Sequence, residues 1–511
     1  MKLSELIEDL EIKEISGNIS WDIKSISYDS KHIEQDSLFV AIKGLQSDGH
    51  NYIEESVSRG AKAVLLENRE KKIDSVSNVV VADTRVGLAK VACRLYNHPS
   101  AKLKMIGITG TNGKTTTLYL IESILKEAGF NVGTIGTINY HYGKNTFSSL
   151  HTTPESLDLQ NILRDMVNTR VTHAVLEVSS HALALSRLEG CQFDVGVFTN
   201  LTRDHLDYHR NMEEYFKCKE RLFTQLLNKS ISGDLPWRVV NLDDPRGKLL
   251  LSNTKTKTIT YGMNSKSQVT AKDVKLDLSG INARIITPQG DLSLQASLLG
   301  ELNLYNIMAA VAVGITQGIS LKTIKRGVEE VKKIPGRLER VENNRGMLIL
   351  IDYAHTSDAL EKLLISTGGF SSGKIITVFG CGGERDRGKR PLMGAISAKY
   401  SDFTIITSDN PRNEDSSKII EEIEAGIVKL PVKKYHSPDL RSGFGKKGYA
   451  IVRDRREAIK LAVSLADSGD LVVIAGKGHE DYQVIGKKKI AFDDRDEVRE
   501  ALAAGYTEKL N

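Results

Sequence analysis

At 511 residues the chain is longer than one hydrophobic core ordinarily supports, so about three domains are expected. Hydrophobic residues make up 40% and charged residues 26%, the balance of a globular protein, and no apolar run approaches the ~18 residues that a membrane-spanning helix needs. The net charge of +5 comes from 70 basic and 65 acidic residues interleaved along the chain, which removes nucleic acid from the expected partners; four scattered cysteines without a CxxC pair remove a disulfide framework and a zinc site.

The opening MKLSELIEDLEIKEI mixes acidic and apolar residues without a signal-peptide core, so a cytoplasmic location is expected. Short apolar runs at 37–42, 63–66 and 79–81 alternate with helical stretches and predict a small α/β domain over residues 1–100, with Asn97-His98-Pro99-Ser100 as its exit linker.

An apolar strand at 104–109 then runs into GTNGKTT and a helix over 117–129, whose Leu118, Ile121 and Leu125 form one stripe. Strand, glycine-rich loop and helix together make a phosphate cradle: the backbone N–H groups of Gly110, Thr111, Asn112, Gly113 and Thr116 can point at phosphate oxygens, Lys114 offsets their charge, and Thr115 can reach Mg²⁺. The spacing departs from GxxxxGK[ST], because Ile108 stands where the first glycine belongs. A nucleoside triphosphate is the expected ligand.

Further strands are predicted at 173–178 and 194–199, giving a mostly parallel, doubly wound sheet in a central domain over 101–335. Glu177 ends one of these strands and Asp204, His205 and Asp207 follow the next, a carboxylate and imidazole set able to hold a divalent cation beside the nucleotide. After Ile334-Pro335-Gly336, strands at 347–353, 374–380, 402–407 and 471–476, with helices at 390–400 and 416–430, predict a Rossmann-like α/β domain over 336–511. Its polar clusters DYAH, GCGGERD, SDNPR and GKGHED fall at the carboxyl ends of the strands and predict one shared site.

The ordered set GTNGKTT, EVSSHAL, TNLTRDHLDYH, DYAHT, GCGGERDRGKRPLMG, DNPR and AGKGHEDYQ spans nearly the whole chain and resembles the Mur ligases, on the branch that adds a diamino acid. The resemblance implies an ATP-dependent amide ligase of peptidoglycan precursor synthesis, working as a monomer on UDP-N-acetylmuramoyl-L-alanyl-D-glutamate through an acyl phosphate. It implies that Lys114 and Thr115 serve phosphate and Mg²⁺, that Glu177 and His205 bind metal, and that Asn303, Asn306, Arg337 and Asp352 face ATP. It also implies that Lys219 is carbamylated and joins the metal site. The residues read singly offer plainer roles: Asn303 and Asn306 as caps of the following helix, and Lys219 as a solvated helical lysine.

For the nucleotide-sugar substrate the resemblance points to Tyr28, Ser30, Leu45, Gln46, Ser47, Thr152, Thr153, Ser179, Leu185 and Arg187. Leu45 stands where relatives carry histidine and Leu185 where some carry glutamine. For the amino acid it points to Arg385, Asp409, Asn410, Pro411, Arg412, Gly476 and Glu480, with Glu480 on the distal ammonium. An arginine fork matches a carboxylate bidentately, and meso-diaminopimelate carries a distal carboxylate that lysine and ornithine lack, so Arg412 favours diaminopimelate. An internal pair between Arg412 and Glu414 is the competing reading, and a folylpolyglutamate-synthetase-like ligase, which shares the phosphate loop and metal positions, is the rival activity.

Overall fold

The computed structural model describes residues 1–44, 47–149, 151–227, 233–252, 256–436, 440 and 443–508. Among these residues three α/β units follow one another. In the first, β1 (Ile12–Ser16), β2 (Ser25–Ser27), β3 (Ser37–Val40), β4 (Ala61–Leu66) and β5 (Ser77–Val81) form a sheet in the order β1-β5-β4-β3-β2, with only β1 antiparallel. β3 and β5 are buried along their whole length, the signature of strands covered on both faces. Asn97 and His98 take left-handed backbone conformations (φ 57° and 48°), and the chain leaves through a short turn at Pro99–Lys102.

The central sheet contains β6 (Lys104–Thr109), β7 (Val132–Ile135), β8 (Asn139–Tyr142), β9 (Asn145–Ser148), β10 (His173–Glu177), β11 (Val195–Phe198), β12 (Trp237–Asn241) and β13 (Lys257–Tyr261). Its order is β13-β12-β11-β6-β10-β7-β8-β9, parallel except for the β8–β9 hairpin at one edge. β6 lies between β10 and β11, so three neighbouring carboxyl ends open into one crevice. Helix Glu301–Thr316 is buried along most of its length and shares a core with helix Lys114–Glu127. A separate antiparallel sheet of β14 (Thr270–Asp277), β15 (Gly280–Thr287) and β16 (Gly290–Ala296) packs on the same core and has no counterpart in the sequence reading.

The last unit carries β17 (Glu339–Val341), β18 (Leu348–Asp352), β19 (Ile375–Phe379), β20 (Phe403–Ile406), β21 (Lys433–Lys434), β22 (Gly448–Ile451) and β23 (Leu471–Ala475) in the order β17-β18-β23-β19-β20-β22-β21, with only β17 antiparallel. Separate apolar clusters fill its two faces. The hairpin of β24 (Tyr482–Ile485) and β25 (Lys488–Ala491) follows. Beneath the end of β23, fully buried Arg455 pairs with Asp494 at 2.7 Å and donates to the Ala475 carbonyl at 3.0 Å, anchoring the start of the GKGHED loop. No helix among the described residues is long and apolar enough to cross a membrane.

Candidate active site

β6 turns through Gly110 (φ 146°) and Gly113 (φ 86°) into helix Lys114–Glu127. A Cβ at Gly110 would overlap Thr199 Oγ1 and one at Gly113 would overlap Asn306 Oδ1, so both positions require glycine for space as well as conformation. The helix begins three residues before the expected start, at Lys114, which aims the free N–H groups of its first turn into the crevice. Ile108 lies inside β6 opposite Glu177 and Val197, and no turn there calls for the missing glycine.

Neighbouring strand ends fix the loop from behind. Thr199 Oγ1 donates to the Asn112 carbonyl at 2.7 Å, Asn112 N–H donates to Asn200 Oδ1 at 2.9 Å, and Thr111 N–H donates to the Asn200 carbonyl at 2.9 Å. Lys114 Nζ donates to the Gly110 and Thr111 carbonyls at 3.0 and 2.8 Å, and burial holds it below the ordinary lysine range. Thr116 is buried beside it.

Thr115 Oγ1 donates to Glu177 Oε1 at 2.9 Å; Glu177 also accepts from Thr137 N–H at 2.9 Å and from Thr137 Oγ1 at 2.9 Å. Arg337 spans from the third unit to Thr115 Oγ1 at 3.1 Å, with its guanidinium 4.4 Å above the Tyr353 ring. Asp352 accepts from the N–H groups of Leu338 and Ala354, both at 2.8 Å, and burial holds its carboxyl above the usual carboxylate range. Asn303 and Asn306 sit inside helix Glu301–Thr316, not at its cap. Asn303 donates to the Leu299 carbonyl at 2.8 Å, and Asn306 donates to Asn303 Oδ1 at 3.1 Å and accepts from Thr117 Oγ1 at 3.3 Å.

His205 takes a left-handed conformation (φ 54°) directly after Asp204, to which it is held through its N–H at 2.8 Å and its Nε2 at 3.3 Å. Burial pushes its imidazole down to about 3, so it is neutral and free to act as a nitrogen donor. His355, from the third unit, faces the same Asp204 carboxylate at 3.8 Å and is pushed by burial down to about 4. Asp207 is exposed.

Lys219 is not a solvated lysine. Only 2% exposed, it donates to the Gly110 carbonyl at 2.8 Å and lies 4.6 Å above the Tyr215 ring; burial, and after it the charge of Lys114, hold it well below the ordinary range. Burial thus opposes the charged form of its amine.

A single cleft is lined by the phosphate loop, Thr137, Thr152, Glu177, Ser179, Asp204, His205, Asn303, Asn306, Arg337, Asp352, Tyr353 and His355. Beside it, Thr152 Oγ1 pairs with Thr137 Oγ1 at 3.1 Å, Thr153 Oγ1 donates to the Glu177 carbonyl at 2.8 Å, and Arg187 donates to the Thr153 carbonyl at 2.9 Å and to Glu155 at 3.2 Å. Ser179 caps helix Ser180–Ala184, which ends at Leu185. In the first unit, Tyr28 donates to Asp158 at 2.6 Å across to the central unit, Ser30 donates to Glu55 at 3.1 Å, and the Ser47 carbonyl accepts from Gly44 N–H at 2.9 Å. Leu45 and Gln46 lie outside the described residues.

The remaining residues gather where β19, β20 and β23 end. Glu480 accepts from Asn410 Nδ2 at 2.8 Å and Lys477 Nζ at 3.0 Å; burial, and after it the Asp409 charge, raise its carboxyl. Gly476 N–H donates to the Asp352 carbonyl at 3.1 Å, tying this pocket to the nucleotide side. Arg412, left-handed (φ 53°) after Pro411, donates to the Gly383 carbonyl at 2.6 Å, and Arg385 donates to the Glu384 carbonyl at 2.9 Å. Both side chains flank Gly382. Glu414 is taken by Arg390 at 2.9 Å, and among the described residues no carboxylate forms an ion pair with Arg412 or Arg385. The internal Arg412–Glu414 pair is not formed.

Thr137, Asn200, Tyr353 and His355 are site residues that the sequence reading did not single out. His355 and Tyr353 were within reach, since they stand in the same DYAH cluster as Asp352, and so was Asn200, which stands in TNLTRDHLDYH; Thr137 lies in a segment with no motif character.

Family models match three segments: "Mur ligase family, catalytic domain" at residues 22–97, "Mur ligase middle domain" at 108–314, and "Mur ligase, glutamate ligase domain" at 336–478. A curated relative from Geobacter metallireducens, named UDP-N-acetylmuramoyl-L-alanyl-D-glutamate--2,6-diaminopimelate ligase, is 47% identical over 98% of this chain and 98% of its own. A solved structure of a ligase of that name superimposes with a TM-score of 0.67 at 32% identity, covering 99% of both chains. A folylpolyglutamate synthase of Mycobacterium tuberculosis, complexed with ADP and AMPPCP, shares the fold at a TM-score of 0.60 and 16% identity, over 76% of this chain and 92% of that one. The chain belongs to the Mur ligase family and is an ATP-dependent amide ligase.

Proposed function

We propose that this protein joins meso-2,6-diaminopimelate to the D-glutamate carboxylate of UDP-N-acetylmuramoyl-L-alanyl-D-glutamate, in the cytoplasm and as a monomer. The observation that carries the choice of amino acid is the pair Arg412 and Arg385, two guanidiniums beside Glu480 with no carboxylate partner among the described residues. A distal carboxylate on Arg412 and a distal ammonium on Glu480 fit this pocket, with Asp409, Asn410, Pro411 and Gly476 shaping it. Lysine and ornithine offer only the ammonium.

In this reading residues 1–100 hold the uridine end of the substrate, 101–335 the nucleotide and 336–511 the amino acid. Lys114 offsets phosphate charge as γ-phosphoryl moves to the D-glutamyl carboxylate, and the phosphates return to Lys114 the positive charge that burial opposes. Asn303, Asn306, Arg337 and Asp352 position the nucleotide. Tyr28, Ser30, Leu45, Gln46, Ser47, Thr152, Thr153, Ser179, Leu185 and Arg187 position the nucleotide sugar. The carboxylate becomes an acyl phosphate, the amine adds to its carbon, and phosphate departs with the C–O bonding pair.

Magnesium fits the oxygen donors Thr115 and Glu177 and the neutral His205, although no group of three or more His, Cys, Asp and Glu among the described residues forms a closed cage. A site with one protein carboxylate, completed by substrate phosphates, is the usual magnesium arrangement. When bound, the ion would neutralise developing phosphate charge. Lys219, desolvated beside Gly110 and shifted by burial toward its neutral form, can add its nitrogen to CO₂ and lose a proton, leaving a carbamate oxygen donor behind the phosphate loop.

The test is amide formation with ATP, Mg²⁺ and the dipeptide substrate, offering diaminopimelate, lysine and ornithine separately and weighing the products. Product with diaminopimelate alone is expected. Product with lysine or ornithine would discard the arginine rule, and no product from any would return the folylpolyglutamate-type activity to consideration.

A further inference from the structure

The diamino-acid loop and the magnesium wall are physically joined, and His479 is where they meet. Its ring lies 5.0 Å from that of Tyr353, which also packs against the His355 ring at 4.7 Å and carries the Arg337 guanidinium at 4.4 Å; Arg337 in turn donates to Thr115 Oγ1 at 3.1 Å. The ring also lies near the Thr137 main chain, across the unit boundary, and Thr137 clamps Glu177 through N–H and Oγ1. Glu177 accepts from Thr115, which closes a circuit of contacts: Thr115, Arg337, Tyr353, His479, Thr137, Glu177. This circuit crosses between the second and third units twice, and His479 is the residue beside Glu480 of the diamino-acid pocket.

The backbone around it allows no slack. A Cβ at Gly478 would strike the Tyr353 Cβ and the Gly336 carbonyl, each at 2.7 Å, and a Cβ at Gly336 would collide with the His479 amide. The loop holding the amino acid is thus seated on the segment that links the two units. Nδ1 of His479 is buried and has no hydrogen-bond partner among the described residues, so the ring is placed by its packing on Tyr353 and not by a bond at that nitrogen.

We propose that His479 is a positioning residue that sets the register of the diamino-acid loop against the Glu177–Thr137 wall, so that the amine meets the acyl phosphate before water does. This rests on the ligase reading above. In the productive step the N–C bond forms, the C–O bond to phosphate breaks with its electron pair leaving on phosphate, and the amine proton passes to the departing phosphate. With the loop out of register the acyl phosphate still forms, and water takes the place of the amine.

The experiment measures phosphate released and amide formed in the same reaction, using the full-length protein with ATP, Mg²⁺, the dipeptide substrate and meso-diaminopimelate. Wild-type protein is expected to release about one phosphate per amide. His479→Ala should lose amide turnover by ~10–100-fold, the scale of an ångström-sized misplacement, while phosphate release falls less, so that phosphate per amide rises above about three. His479→Gln, which keeps a donor and an acceptor, should return the ratio toward one. Tyr353→Leu, which removes the ring beneath His479 and leaves the loop sequence intact, is read the same way should the alanine variant fail to fold. A ratio that stays near one in these variants, at whatever rate, overturns the assignment of His479 alone. No amide from wild-type protein overturns the ligase reading and this assignment together.

Discussion

The phosphate loop and the proposed diamino-acid pocket are tied together by the Gly476–Asp352 hydrogen bond, yet they are finished to different degrees. Around the loop the charged side chains already have protein partners: Lys114 on two carbonyls, Lys219 on Gly110, and Glu177 on Thr115 and Thr137. In the pocket, the side chains of Arg412 and Arg385 each hydrogen-bond only a backbone carbonyl among the described residues. The first region is organised before ligand arrives and the second is completed by it. Substitutions in the first should therefore remove turnover, and substitutions in the second should raise the concentration of amino acid required.

The largest effect is expected at Lys219. Lys219→Ala should lose nearly all turnover, added bicarbonate should not restore it, and short carboxylates should recover part by supplying oxygens to the vacated space. Full activity in the alanine variant would remove the carbamate role and leave Lys219 as a prop for Gly110. Next comes Arg412→Ala, which should raise KM for diaminopimelate by about 10–100-fold, the equivalent of ~1.5–3 kcal/mol for a charge-assisted bond, with KM for ATP unchanged. Equal shifts for both substrates would erase the contrast between the two regions.

How far this contrast could be read from sequence depends on what produces each part. The parallel sheets were legible because strands covered on both faces are continuous apolar runs, as in β6 and β18, and the phosphate loop because its residue types are chemically constrained. The β14–β16 sheet was not, since its strands are half exposed and carry no motif. The left-handed backbones of His205 and Arg412 were equally invisible; nothing in the identity of either residue announces a positive φ. The residues that bring Lys219 into the interior and take Glu414 away from Arg412 lie far off in sequence, and so only the fold decides between a solvated lysine and a buried one, or between an internal ion pair and an open guanidinium.

The two regions also differ in how they respond to acid. The cleft is lined by imidazoles that burial keeps neutral: His205 is pushed down to about 3 and His355 to about 4, from 6.5 in the unfolded chain. Between these limits the unfolded state binds protons that the folded state refuses, so stability is fully present above about pH 6.5 and is lost as pH falls toward about 4. Asp352 and Glu480, held above their ordinary range, act in the opposite sense and soften the lower end of that window. Urea midpoints at pH 7, 6 and 5 should fall in that order, and a midpoint that rises on acidification would show that the carboxyls outweigh the imidazoles.

The smallest effect is expected at Tyr28, which tests the contrast in a third place. Its hydroxyl donates to Asp158 at 2.6 Å, and burial is the main cause that raises the Asp158 carboxyl. Next to Asp158, Glu155 already holds Arg187 at 3.2 Å and Arg85 at 3.4 Å. The Tyr28 hydroxyl is thus satisfied by protein, like the phosphate loop, although the first unit is read as a binding surface. Tyr28→Phe removes one hydrogen bond of ~0.5–1.5 kcal/mol and should raise KM for the nucleotide sugar by no more than about 10-fold, leaving kcat and KM for diaminopimelate in place. A larger rise would mean that the hydroxyl leaves Asp158 for the substrate and gains by doing so, which would place this surface with the ligand-completed pocket. A fall in kcat would mean that the Tyr28–Asp158 bridge sets the position of the first unit against the second and belongs with the parts organised in advance.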